Sequence, residues 1–408
     1  MAQRSEQGFN RRLIAPLVLG SILNPINSSI IAVSLIPIGQ ALGEPPSRTA
    51  LLVTALYVAT AIGQPVVGRL VDTFGPRRLY LIGATLAGIG GLLGTVAPNL
   101  NVLIVARVIL GLGTCAGYPS AMYLIRSEAE RTGQDSPAGV LTVLAVAGQT
   151  VAVIGPTLGG LLIGLGGWRT TFAINILLAL ACLVVGVRRL PATVPVVARP
   201  VDQGRRLERV KGDVTGLVRN GPLMRTYVRN LLGYVVAYGY LYGYTQWLED
   251  GRGLSPSIAG LILLPTFATA IGVSLLTGRR QAVRAKLIVA AGTQILGSAL
   301  LLTTHANTAI FVLVLFALVA GIPQGLNNLA NQTALYHQAD PARMGASAGL
   351  LRTSTYLGAI IASIVTGALL GNTADSTGLH ELNLFMLTAG ALFLAITLAD
   401  RSLTRVGK

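Results

Sequence analysis

The chain has 408 residues, of which 52% are hydrophobic and 11% charged, with 31 Lys and Arg against 15 Asp and Glu. Soluble domains carry roughly 25% charged residues, so the composition excludes an ordinary soluble domain; the length accommodates about twelve spans of some 20 residues. The net charge of +16 would suggest nucleic acid in a soluble protein, but here the basic residues fall in short stretches between apolar runs, where they set orientation in a bilayer, and no nucleic-acid partner is expected.

Residues 1–12 form a polar tail ending in Arg11 and Arg12. The apolar run that follows is too long for a signal peptide core and lacks a cleavage site, so it is expected to stay as the first span. Apolar segments run over 13–37, 50–71, 79–97, 100–124, 138–163 and 169–187. Residues 189–222 then break the pattern with Arg189, Arg199, Arg205, Arg206, Arg209, Lys211 and Arg219. Six more segments follow at 225–248, 257–278, 287–303, 308–335, 346–370 and 382–399. The expected organisation is an all-α membrane protein of twelve transmembrane helices. It has a cytoplasmic tail 1–12, a six-helix bundle 13–188, a cytoplasmic linker 189–222, a second six-helix bundle 223–400 and a cytoplasmic tail 401–408. The two cysteines, Cys115 and Cys182, lie inside apolar runs and read as packing residues.

The first segment carries Asn24, Asn27, Ser28 and Ser29. Between segments two and three, the stretch from Gly63 to Gly83 contains Gly68, Asp72, Gly75, Arg77 and Arg78 in a short turn. Glycine lets the backbone turn tightly, and Arg77 and Arg78 can stay in water at a bilayer edge. A solvated basic turn is one reading. The pattern also resembles the Gly-x-x-x-Asp-(Arg/Lys)-x-Gly-(Arg/Lys)-(Arg/Lys) loop of major facilitator superfamily transporters, with Thr73 in place of a basic residue and Pro76 inserted after Gly75. That resemblance implies the major facilitator fold, and it puts Asp72 opposite the start of helix eleven, near Gly345 and Ala346, as part of a gate.

In segment four, Arg107 precedes Gly111 and Gly113. It lies about eight residues inside the boundary, roughly 12 Å deep at 1.5 Å per residue. A charge there is costly unless it meets water, a partner or a ligand; an Arg that bonds carbonyls structurally is the alternative. The run is similar to the superfamily's membrane Arg ahead of a glycine pair, with Leu110 where a polar residue often stands. Segment five contains Gly148 and then Gly155, Pro156, Gly159 and Gly160, where proline kinks a helix and glycine permits close approach. This resembles the Gly-Pro-x-x-Gly-Gly motif of the twelve-helix drug:proton antiporter branch, as Trp168 to Asn175 resembles that branch's entry to helix six.

In the second half, Tyr234, Tyr238 and Tyr242 recur at i, i+4 and i+8, with Tyr240, Tyr244 and Trp247 beside them. Segment ten carries Gln324, Asn327, Asn328 and Asn331. Amides in lipid are poorly satisfied, so that face should meet water, protein or substrate. Packing remains the alternative for the tyrosines. The resemblance implies a substrate cavity on helices one, four, seven and ten, formed by Asn24, Asn27, Arg107, Tyr234, Tyr238, Gln324, Asn327, Asn328 and Asn331. Gly63–Gly83 and Gly272–Gly292 span equal lengths, with Gln281 opposite Asp72, as two parallel repeats would give.

No Asp or Glu lies near the middle of a segment, so no proton site of the familiar buried-acid kind is visible. His305, His337 and His380 have no metal or catalytic spacing, and no Walker loop, nucleophile elbow or zinc pair occurs. No catalytic residue, cofactor or metal is expected. The reading is a secondary transporter that moves a small amphipathic molecule across a bacterial inner membrane by alternating access, as a monomer. A proton-coupled drug or metabolite exporter comes first, and an importer or facilitator of the same fold second. A receptor or scaffold without flux is disfavoured. Placing the N-terminus inside puts Arg77, Arg78, Arg126, Arg131, the linker cluster, Arg279, Arg280, Arg284, Lys286 and Arg343 on the inner side, which is the positive-inside pattern. Single cysteines at Gly204 and Ser255 should therefore label oppositely from outside intact cells, position 255 reacting and position 204 not; the reverse result would overturn the orientation.

Overall fold

The computed structural model describes residues 9–44, 46–133, 138–192, 220–254, 256–280, 282–370, 376–404 and 406. Most of the basic linker, Gly204, Ser255 and Gln281 lie outside the described residues. Within them the chain is helical throughout, as a bilayer demands, because a helix satisfies its own backbone where no water can. In chain order the long helices are α1 (Ile14–Leu42), α2 (Leu51–Phe74), α3 (Pro76–Thr95), α4 (Leu100–Thr132), α5 (Ala138–Gly166), α6 (Thr170–Arg189), α7 (Gly221–Gly239), α8 (Pro256–Thr277), α9 (Val283–Leu301), α10 (Ile310–Gln338), α11 (Met344–Leu370) and α12 (Ser376–Ala399). Helix α4 is interrupted by a short turn at Cys115 and Ala116. Helix α7 continues through two π turns, Tyr240–Tyr244 and Trp247–Gly251. It is less apolar than the others, with Arg225, Arg229 and Asn230 in its first three turns.

Local sequence accounts for the helix ends. Asn99 and Asn220 accept hydrogen bonds from Val102 and Leu223 N–H groups and so cap α4 and α7. Helix α2 ends at Gly75, whose φ of +91° suits glycine alone. Pro76 follows at the first position of α3, where no N–H is needed. The basic turn expected from Gly68 to Arg78 is thus a correction: Gly68 and Asp72 are helical residues of α2, Arg77 and Arg78 begin α3, and Gly75 alone forms the turn.

Two compact units result. The first comprises the chain to Gly216 and, in addition, Ala339–Thr353. There α1 packs on α5, α2 on α4, and α3 on both α4 and α6. A core of Leu52, Leu56, Leu100, Leu103 and Leu110 sits against Trp168 and Phe172, whose rings meet edge to face at 6.2 Å. The second comprises Leu217–Gln338 and Ser354–Lys408. There α8 packs on α10, and α9 on α10 and α12, the same pairing order as α2, α3, α4 and α6. Tyr240, Tyr244 and Trp247 belong to its core, with ring spacings of 5.0 and 6.0 Å. The first ten residues of α11 group with the first unit.

The ends of α7, α10 and α12 are joined by a buried ionic network inside the second unit. Arg229 Nη1 lies 2.6 Å from Asp400 Oδ2, and both side chains are fully buried. Arg229 Nη2 donates to Thr226 at 2.7 Å, and Thr226 donates to Gln338 at 2.6 Å. Ser402 donates to Asp400 from its N–H and its hydroxyl. Leu403 is buried in a core with Val283, Leu287 and Phe393. Residues 401–404 therefore belong to the packed unit, although the sequence reads as a tail from 401. Burial alone would push the Asp400 carboxyl up, but the hydrogen bonds from Arg229 and Ser402 and the charges of Arg229 and Arg225 hold it below its ordinary value. Removing one partner strands the other charge, at a cost of about 3–5 kcal/mol. Arg229→Met should therefore lower the unfolding temperature in detergent sharply. A carboxylate with a depressed pKa stabilises above its unfolded value and loses that contribution as pH falls through the folded value. The wild type should thus lose more stability than Arg229→Met on acidification below about pH 4, measured by thermal unfolding across pH.

Candidate functional site

At one end of the first unit, Asp72 closes the last turn of α2 and faces the first turn of α11. Its Oδ1 accepts the Gly345 N–H at 2.7 Å and its Oδ2 the Ala346 N–H at 2.7 Å. The two N–H groups are among those a helix start leaves unpaired, and the partial positive charge there favours a carboxylate. Gly68, one turn earlier, makes the approach possible: a Cβ at that position would run into the Gly345 and Ala346 backbone. Arg77 donates to the Val187 carbonyl at 3.1 Å, at the C-terminal end of α6, where a cation is favoured. Arg78 is exposed. The contact with helix eleven that the family resemblance implied is present.

Arg107 is only 2% exposed. Its Nε donates to the Leu52 carbonyl at 3.0 Å and its Nη1 to the Asn27 carbonyl at 3.3 Å, while Nη2 has no partner. Asn27 and Asn24 are themselves buried. Asn27 donates to Asn175 at 2.6 Å, and Asn24 to Thr60 and Thr114 at 3.3 and 2.9 Å. Both amides therefore fasten α1 to neighbouring helices. Asn175, Thr60 and Thr114 are partners that sequence alone had not singled out for this task. A second cation, Arg352, is half-buried over the Tyr118 ring, 4.0 Å from its centroid. Neither arginine has a carboxylate partner among the described residues.

On α5, Gly155 and Gly159 are buried against Ser29, Ile30 and Val33 of α1, so that helix packing needs them small. Pro156 and Gly160 face outward. The helix bends by 43° at residue 152, which is four residues before Pro156, where the ring displaces a carbonyl.

In the second unit, Tyr234, Tyr238 and Tyr242 form a half-buried stack with centroid spacings of 6.0 and 5.4 Å. Gln324 and Asn328 are half-buried, whereas Asn327 and Asn331 are 6% and 1% exposed. Gln332 donates to Asn328 at 2.6 Å. A cavity of about 50 Å³ brings Tyr234, Gln324, Asn327 and Asn328 together with Gln294 and Ser298 of α9, and leaves out Tyr238 and Asn331. The α9 residues had a signal in the sequence, two polar side chains one helical turn apart, but helix nine was not read as a cavity helix.

The major facilitator superfamily model matches residues 17–363. The chain belongs to the major facilitator superfamily. It is 27% identical to an uncharacterized MFS-type transporter, YwoD, of Bacillus subtilis over an alignment covering 93% of this chain and 95% of that one. It is 25% identical to the multidrug resistance protein Stp of Mycobacterium tuberculosis, covering 90% and 78%. Among solved structures, the proton:xylose symporter XylE superposes with a TM-score of 0.71 at 15% identity, covering 95% of each chain. The human organic anion transporter MFSD10 gives 0.72 at 15%, covering 95% and 100%; at such identities the likeness concerns the fold. The protein is a multi-pass membrane transporter and not an enzyme.

Proposed function

We propose that this transporter is a secondary active exporter of small amphipathic compounds, neutral or anionic. It works by alternating access in a bacterial cell membrane, as a monomer with both termini cytoplasmic. The observation that carries the reading is the charge balance inside the first unit, where Arg107 and Arg352 have no carboxylate partner among the described residues. The relatives named multidrug resistance proteins support the exporter direction. The Gly155-Pro156 run and its bend support the antiporter branch, and with it proton coupling. Asp72 acts as a gate: its charge holds the start of α11, and Gly68, Gly75, Arg77 and Arg78 keep it in register. A carboxylate at a helix start contributes about 0.3–2 kcal/mol, small for folding but enough to shift two conformations of similar energy.

Two experiments test the proposal. In liposomes with an imposed pH gradient, neutral and anionic amphipaths should be carried in preference to permanent dications, with monocations admitted through the tyrosine faces. Strong, specific transport of a dication would count against the charge argument, and flux indifferent to the gradient against proton coupling. Asp72→Asn keeps the shape and removes the charge. It should insert normally, slow transport strongly, and raise cysteine accessibility at the cytoplasmic mouth. Unchanged flux and accessibility would reduce Asp72 to a structural cap.

A further inference from the structure

Helices α3 and α6 bring four arginines to one end of the first unit. Arg77, in the first turn of α3, donates from Nη2 to the Val187 carbonyl of α6 at 3.1 Å. Beside it, a Cβ on Gly186 would strike the Tyr80 ring, so the two helices touch there. Arg78 follows Arg77, and Arg188 and Arg189 follow Val187; these three residues are exposed. Neither helix carries an Asp or Glu. The ion pairs among the described residues use other arginines, and Asp72 gives both its oxygens to the start of α11. The second unit contains the same latch without the surplus charge. Arg284 of α9 donates to the Leu398 carbonyl of α12 at 3.2 Å. There Ala285 stands where α3 has Arg78, and Ala399 and Asp400 stand where α6 has Arg188 and Arg189. One arginine thus suffices to tie such a helix pair, and packing does not account for the other three.

The surface that leads to these arginines is apolar. Leu177, Leu180, Val184 and Val187 are exposed and share one face of α6 by helical spacing, and Arg188, four residues after Val184, continues that face. Helix α3 is exposed at Ile82 and Ile89. From Leu177 to Val187 is about 15 Å at 1.5 Å per residue, half of the roughly 30 Å hydrocarbon core. The stripe therefore has the length of one leaflet, with uncompensated positive charge at its end. A phospholipid complements both parts, its acyl chains along the stripe and its phosphate among the guanidiniums. Guanidinium binds phosphate through paired hydrogen bonds, and basic groups between helix ends take anionic head groups. A zwitterionic lipid would bring a further cation into the same cluster. We propose that the α3–α6 end of the first unit binds an anionic phospholipid, its phosphate held by Arg78, Arg188 and Arg189. The site does not rest on the exporter reading, because bound lipid is measured without flux.

Full-length protein in detergent is titrated with phosphatidylglycerol, cardiolipin or phosphatidylcholine while thermal unfolding is followed, and retained lipid is counted by native mass spectrometry. The two anionic lipids should raise the midpoint saturably and stay bound; phosphatidylcholine should do neither. Each arginine beside an anionic head group contributes roughly a fivefold gain in affinity, so Arg189→Gln should weaken the anionic-lipid titration by that factor. Arg188→Gln combined with Arg189→Gln should remove the preference and leave the lipid-free midpoint unchanged, because both residues are exposed and the Arg77 latch remains. Arg279→Gln combined with Arg280→Gln, two exposed arginines just after α8, should keep the preference. Equal stabilisation by inorganic phosphate would make this a site for a free anion and overturn the lipid proposal. Unselective binding, a preference that survives the α6 double variant, or one lost equally in the α8 pair would reduce these arginines to setting orientation in the bilayer and overturn it as well.

Discussion

Water is absent from the middle of a bilayer, and most features of this structure follow from that. Backbone groups must be satisfied within each segment, so the described chain is helical from end to end. Side-chain amides and hydroxyls come under the same constraint. Asn24 finds Thr60 and Thr114, Asn27 finds Asn175, and Asn230 finds Ser354 and Thr355. Each contact pins two or more helices of one unit together where the apolar surfaces alone gain nothing over lipid. Polar residues in the spans thus serve first as fasteners.

Charges show the constraint at its most severe. Arg107 spends two of its donors on backbone carbonyls and keeps one nitrogen unpartnered. Arg352 rests on a tyrosine face. Arg229 is neutralised by Asp400, with a hydroxyl and an amide extending the network, although its Nε has no partner. The ion pair fastens α7 to the end of α12. Arg107 and Arg352, which have no carboxylate partner among the described residues, belong to the first unit. Asp72 represents a third solution, in which a carboxylate is held by the N–H groups of a helix start.

Fold and family were legible in the sequence because they rest on local properties. Apolar length predicts spans, and the order of the motifs around Asp72, Arg107 and Pro156 identified the superfamily. The contact of Asp72 with Gly345 and Ala346 also came from the motif, since its geometry is set by one carboxylate and one helix start. Less legible were the roles of polar residues within spans. Asn24 and Asn27 read as cavity residues, yet their amides are occupied by neighbouring helices. Gln294 and Ser298 drew no notice on helix nine, yet they share a cavity with Asn327. Helical spacing tells which residues share a face but not which helix that face meets.

The sequence by itself determined the succession of apolar segments, the proline and glycine positions that bend or end helices, and the surplus of basic over acidic residues. Those are sums or patterns along one segment, decided by the bilayer before any helix meets another. Tertiary structure alone decided that the first turns of α11 group with the first unit. It also decided that Asp400 neutralises a residue 171 positions away, and which amide oxygens are left without partners. The physical reason is that a polar group buried in lipid is defined by its partner, and partners on different helices are chosen by packing.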